Sequence, residues 1–159
     1  MRAVLVYDTK YGNTKYLAER MHSNLKSQYI DCRLMPVHEA DFEEIQKSNV
    51  LIVASPTHYW NPSTCIIRFL EELGRQRIMG KMGFMLSTRY DSQLFGSASK
   101  RIFTSLKILH FMVYPWQDFY VKDIEGPLAE NQVESCDKFS DLIADAIAKQ
   151  AKEIMNANQ

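Results

Sequence analysis

Five short apolar runs alternating with amphipathic stretches predict an α/β protein: a doubly wound five-stranded parallel sheet with helices on both faces. Three observations carry this. The runs, of which Val50-Leu51-Ile52-Val53-Ala54 is the clearest, are continuously apolar, the pattern of strands covered on both sides. Between them apolar residues recur at helical spacing, with Leu17, Met21 and Leu25 as the first case. No repeat, low-complexity tract or linker interrupts the alternation, so residues 1–159 are expected to form one domain.

In chain order, Arg2–Tyr7 is the first strand and residues 13–28 form a helix. A short strand at 32–35 and a short helix at Phe42–Lys47 precede the buried strand at 50–54. Pro62 opens a helix running to Leu73, where Gly74 stops it, a proline-start and glycine-stop asymmetry. The fourth strand is 83–87, and a loop at 88–96 leads to a helix at 97–109. Residues 110–114 and 118–122 read as two pieces of a fifth strand broken at Pro115. The last helix, 130–155, places Cys136, Phe139, Ile143, Ile147 and Ile154 on one stripe.

Composition narrows the function classes. Hydrophobic residues make up 46% and charged residues 24%, which argues against disordered and fibrous proteins. Nineteen basic residues balance 19 acidic ones, so the basic excess of a general nucleic-acid binder is missing. The N-terminal apolar run is too short for a secretion signal, and no stretch approaches the ~20 apolar residues of a membrane span. Cys32, Cys65 and Cys136 are far apart and odd in number, which speaks against a disulfide framework or a zinc cluster. Cys65 and Cys136 are expected to pack as small apolar helix residues. A soluble cytoplasmic protein is the expectation.

In an open α/β sheet the ligand site lies outside the carboxyl ends of the strands. That directs attention to residues 8–14, 55–61 and 87–96. The first loop gathers Thr9, Lys10, Tyr11, Gly12, Asn13 and Thr14 at a helix N-terminus. Its hydroxyls, open N–H groups and positive dipole end suit a phosphate. Helix capping would explain one of these residues but not the cluster. Neither G-x-G-x-x-G nor G-x-x-x-x-G-K-[ST] occurs here, so the dinucleotide and Walker fingerprints are absent.

The second loop, Pro56, Thr57, His58, Tyr59, Trp60 and Asn61, sets three aromatic rings in a row between prolines. Three rings at a strand end cannot all enter the core, so they are expected to offer a platform for a flat ligand. The third loop adds Ser87, Thr88, Arg89 and Tyr90, followed by 91–96 with Phe95. A phosphate cradle beside aromatic loops describes a site for a phosphorylated planar molecule, which is the shape of FMN.

Tyr7, Thr9, Gly12, Asn13, Thr14 and Ala18 follow one another as in the N-terminal signature of the flavodoxins, which this sequence resembles. Ser55, Pro56, Thr57, Tyr59, Asn61 and Pro62 resemble the second flavin loop of the same family, including the flavodoxin-like domains of flavodiiron proteins. The segments from Ser99 to Ile102 and from Phe119 to Lys122 are similar to the end of the flavodiiron-type domain. The resemblance implies strand order 2-1-3-4-5 and an FMN site. In it, residues 9–14 hold the phosphate, residues 56–61 line the ribityl chain and one ring side, and residues 87–90 close the other side. Trp60 and Tyr90 are the implied stacking partners. Tyr11 stands where many flavodoxins have Thr, and Trp60 where many have a Gly whose peptide turns over on reduction, which leaves Asn61 as the expected hinge.

Three functions follow as expectations. The first is an FMN electron carrier, with no catalytic residue and no metal, served by a reductase or ferredoxin donor and an acceptor protein, and existing as a monomer or small homo-oligomer. Electron carriers of the family are usually acidic, so a neutral chain implies an unusual partner. The second is a small FMN-dependent NAD(P)H:quinone-type oxidoreductase using His58, Tyr59 and Arg89. The third is a flavin-free signalling module, opposed by Ala54-Ser55 where a receiver domain needs an acceptor Asp, and by a first loop without the Cys and Arg of a small phosphatase.

Overall fold

The computed structural model describes residues 1–90 and 96–159. Its strands are β1 (Arg2–Tyr7), β2 (Asp31–Pro36), β3 (Val50–His58), β4 (Asn61–Pro62), β5 (Met82–Tyr90), β6 (Met112–Val113) and β7 (Gln117–Val121). The helices are α1 (Asn13–Ser27), α2 (Phe42–Lys47), α3 (Thr64–Arg75), α4 (Ala98–Ile108) and α5 (Gln132–Ala157). The main path through the sheet is β2-β1-β3-β5-β6, with every pairing parallel. β7 also pairs with β5, in parallel, so the fifth strand is present in two pieces. β6 meets the start of β5 at Met82↔Met112 and β7 meets its end at Leu86↔Gln117. The expected order 2-1-3-4-5 holds once the two-residue β4, antiparallel to the end of β3, is set aside.

Side-chain alternation along β1 sorts the core into two layers. Ala3 and Leu5 pack with Leu17, Met21 and Leu25 of α1 and with Phe139 and Ile143 of α5. Val4 and Val6 belong to the opposite layer, with Ile66, Phe69 and Leu73 of α3 and Ile102 and Leu106 of α4. Phe84 and Phe119 are fully buried in the first layer, each worth ~1.5–3 kcal/mol over an exposed position. A polar clamp joins α1 to α5: Arg20 donates twice to Asp137 at 2.7 Å, and Asn24 donates once at 2.7 Å. The Arg20 hydrogen bond, helped by that of Asn24, holds the Asp137 carboxyl below its usual range against the opposing effect of burial.

Several element ends differ from the sequence reading, each for a local reason. β3 and β5 run on through Pro56 and Thr88, because the parallel register continues there as Ser55↔Ser87 and Pro56↔Thr88. Residues 88–90 are therefore strand rather than loop, and 91–95 of that loop lie outside the described residues. α3 begins after Ser63, whose hydroxyl accepts from the Ile66 N–H, while Pro62 sits in β4 opposite Thr57. The helix also passes Gly74 to end at Arg75. On α5 Cys136, Phe139, Ile143 and Ile147 are buried, but Ile154 is 45% exposed. A helix of 26 residues is about 39 Å long at 1.5 Å per residue, and its last buried residue is Ile147. Cys136 is buried as expected, whereas Cys65 is exposed on α3.

Candidate functional site

The turn from β1 into α1 is built around Gly12, which caps the helix in the left-handed region at φ 90°. A side chain there would find open space, so conformation rather than room calls for glycine. The Gly12 N–H donates to Thr9 Oγ1 at 3.0 Å, folding the loop back on itself. No side chain caps α1 and its first turn holds no acidic residue, whereas Asp41 and Ser63 cap α2 and α3. Neither Asn13 nor Thr14 spends its side chain on capping. Asn13 Nδ2 donates to the Glu125 carbonyl at 3.2 Å, and the Thr14 and Thr88 hydroxyls meet at 2.8 Å. The first N–H groups of α1 thus stay available beside the hydroxyl of Thr9 and the cation of Lys10. That donor set fits a phosphate.

Ser55 anchors the second loop. Its buried hydroxyl accepts from the Ser63 N–H at 3.0 Å and donates to the Pro56 carbonyl at 2.8 Å. Thr57 Oγ1 accepts from the Ala98 N–H at 3.2 Å, supplying α4 with its first partner from across the sheet. Between Thr57↔Pro62 and His58↔Asn61 the chain reverses in two residues, Tyr59 at φ 46° and Trp60 at φ 67°. Positive φ at both centres is the backbone of a type I′ hairpin turn, normally given to Asn and Gly. Asn61 is not the left-handed residue expected of it. It lies in β4, donates to the Tyr59 carbonyl at 3.0 Å and accepts from Arg101 at 3.0 Å. Tyr59 is 90% and Trp60 51% exposed. Burial, then the charge of Lys10, lowers the His58 imidazole below its ordinary value, against an opposing effect of Asp8.

The end of β5 forms the third wall. Ser87 is fully buried and its hydroxyl donates to Asp118 Oδ1 at 2.7 Å. Arg89 stands 3.6 Å from the other Asp118 oxygen and 5.9 Å above the Tyr120 ring. Tyr90 is 56% exposed at the mouth.

These walls enclose one cleft. Thr9, Lys10, Tyr11, Asn13, Thr14, Pro56, Thr57, His58, Thr88, Arg89 and Tyr90 line it. Of the other residues read from the sequence, Gly12 in the first loop, Tyr59 and Trp60 in the β3–β4 turn and Asn61 in β4 lie outside the lining, and Ser87 is fully buried. Val121 and Ile124 line the cleft as well and were missed by sequence reasoning. A positional signal was available: Val121 ends the parallel strand β7 and Ile124 follows it, at the carboxyl edge where such sites lie. Asn13 ties this segment to the first loop.

Fold and cleft together define an α/β protein with a candidate ligand site at the carboxyl edge of its sheet, beside a helix N-terminus without a side-chain cap and aromatic strand ends. A family model for flavodoxin matches residues 5–108, and the chain belongs to the flavodoxin family. It is 28% identical to a flavodoxin of Aquifex aeolicus, over 92% of this chain and 87% of that one. Identity to a flavodoxin of Clostridium saccharobutylicum is 27%, over 71% and 69% of the two chains. Among solved structures, an archaeal flavodoxin superposes with a TM-score of 0.79 at 22% identity, covering 93% of this chain and 99% of that one. The rubredoxin oxygen:oxidoreductase of Desulfovibrio gigas superposes at 0.77 with 19% identity, covering 94% of this chain and 37% of the larger protein. Flavodoxins bind FMN and carry electrons between redox partners. Among the described residues no helix is long and apolar enough to cross a membrane.

Proposed function

We propose that this chain holds FMN in the cleft and acts as an electron carrier between proteins. The observation that carries the reading is the α1 N-terminus, left without a side-chain cap or acidic first-turn residue beside a cleft edged with aromatic rings. Bound FMN would supply one- and two-electron chemistry at its ring. The chain's own residues bind, orient and shield it. The α1 N–H groups, Thr9, Thr14 and Lys10 would hold the phosphate, with Gly12 and Asn13 shaping the loop and Tyr11 flanking it. Pro56, Thr57 and His58 would line the ribityl chain, and Trp60 and Tyr90 would cover the ring faces. Tyr59 and Asn61 set the turn that presents Trp60, and Thr88 and Arg89 close the far side with Ser87 behind them.

A donor of reductase or ferredoxin type, a cytoplasmic setting and a monomeric or small homo-oligomeric state complete the reading. The balanced charge of the chain supports an encounter that depends little on ionic strength. The test is titration of the apoprotein with FMN, followed by flavin fluorescence and by the absorbance of the retained cofactor. Stoichiometric retention with quenched fluorescence is expected. Failure to retain FMN, or equal retention by a Thr14→Glu variant, would overturn the reading.

A further inference from the structure

Arg89 and Asp118 are a charge pair placed in the wall of the cleft rather than on the surface. Their side chains are only 10% and 15% exposed. Each is held from more than one side. Asp118 accepts from Ser87 at 2.7 Å, and Arg89 sits over the Tyr120 ring at 5.9 Å. Two adjacent strands fix the spacing through the register Ser87↔Asp118 and Arg89↔Tyr120. Of the pair, only Arg89 lines the cleft. A bound ring would therefore sense the cation directly and the carboxylate from behind it. Partial burial also removes much of the water that screens such a field.

Reduction of FMN by two electrons and one proton leaves its ring system with one negative charge that the oxidised ring lacks. A fixed cation favours that form and a fixed anion opposes it. We propose that Arg89, positioned by Asp118 and through it by Ser87, sets the preference of the cleft for reduced over oxidised FMN. The proposal rests on the FMN reading above. It gives the two partners opposite effects: loss of the Arg89 charge weakens the preference, and loss of the Asp118 charge strengthens it. A purely structural role would shift both variants in one direction, toward weaker binding of both forms.

The experiment measures dissociation constants for oxidised FMN, and two-electron midpoint potentials against a reference dye, for the wild type, Arg89→Gln, Arg89→Lys and Asp118→Asn. The asparagine keeps an oxygen to accept from Ser87. The reduced-to-oxidised affinity ratio is expected to fall about tenfold in Arg89→Gln and to rise about tenfold in Asp118→Asn, each a shift of about 30 mV for a two-electron couple. Arg89→Lys is expected to stay near the wild type. The shifts are expected to persist at high salt, because the pair is only 10% and 15% exposed; shifts abolished by salt would overturn the proposal. Unchanged ratios in variants that still bind FMN would overturn the proposal alone, as would shifts of the same sign. A wild type that binds no FMN would overturn the FMN reading, and the proposal with it. Should Arg89→Gln fail to fold, Asp118→Asn and Arg89→Lys decide by themselves.

Discussion

Two neighbouring aromatic residues at the β3–β4 turn should respond oppositely to truncation. Tyr59 and Trp60 both hold left-handed φ, 46° and 67°, a conformation that costs an L-residue about 1–2 kcal/mol. Tyr59 is 90% exposed, so removing its ring forfeits roughly 20 Å² of buried area, or ~0.5 kcal/mol. Asn tolerates left-handed geometry, and Tyr59→Asn is expected to stabilise the apoprotein by ~1 kcal/mol. Trp60 is 51% exposed. Trp60→Gly relieves similar strain but gives up roughly 100 Å² of burial, ~2.5 kcal/mol, and adds ~0.5–1 kcal/mol of chain entropy. A net loss of ~1–2 kcal/mol follows for Trp60→Gly. In thermal unfolding of the apoprotein each kcal/mol moves Tm by about 2–4 °C, so a rise for Tyr59→Asn and a fall for Trp60→Gly should be resolved. A lower Tm for Tyr59→Asn would refute the strain argument, and a higher one for Trp60→Gly would refute the burial term.

The remaining predictions concern the packing around the cleft and the thiols. Gly126→Ala would place a Cβ 2.7 Å from Asn13 Oδ1 at φ 104°, and should cost ~2 kcal/mol in urea unfolding. The same variant should weaken FMN affinity in the titration described above, because Asn13 opens α1, the helix proposed to hold the phosphate. The Asp137 carboxyl is held low in the folded state, so its pairing contributes fully above the unfolded value of about 4 and is lost as pH falls through the folded one. Asp137→Asn should therefore flatten the acid limb of a stability-against-pH curve. With a thiol reagent at neutral pH, exposed Cys65 should react first. Burial pushes Cys32 up to about 12 and Cys136 up to about 11, and both should react only on unfolding.

Sequence pattern was most informative where one physical cause dominated. Continuous apolar runs located the strands, and even the broken fifth strand was visible, because Pro115 cannot donate to a ladder. The turn at 9–12 into α1 was legible because Gly12 and the helix start are local features. Strand ends were not, since the register between β3 and β5 carries pairing past a proline that looks like a loop residue in one dimension. The left-handed geometry expected at Asn61 falls elsewhere for a related reason. Asn61 has the intrinsic tolerance for left-handed backbone, but the pairing of Thr57 with Pro62 puts that geometry on the two residues before it. Val121 and Ile124 reach the cleft, and Asp118 stands behind Arg89, only through the parallel alignment of β7 with β5 and the link from Asn13 to Glu125. Such long-range placement leaves no periodic trace.

The interruption at Pro115 has a consequence for solubility. An open sheet ends in a strand with unsatisfied N–H and C=O groups, a template on which another chain can grow. Here that margin is divided into β6 of two residues and β7 of five, with Trp116 between them turned edge-on against Phe103 of α4 at 5.4 Å. Neither fragment offers an incoming strand the continuous ladder that an unbroken fifth strand would. Residues 127–129 then close the outer edge of β7, the Lys122 N–H donating to the Pro127 carbonyl and the Ala129 N–H to the Tyr120 carbonyl, both at 2.8 Å, so the divided strand leaves little open ladder on that flank of the sheet.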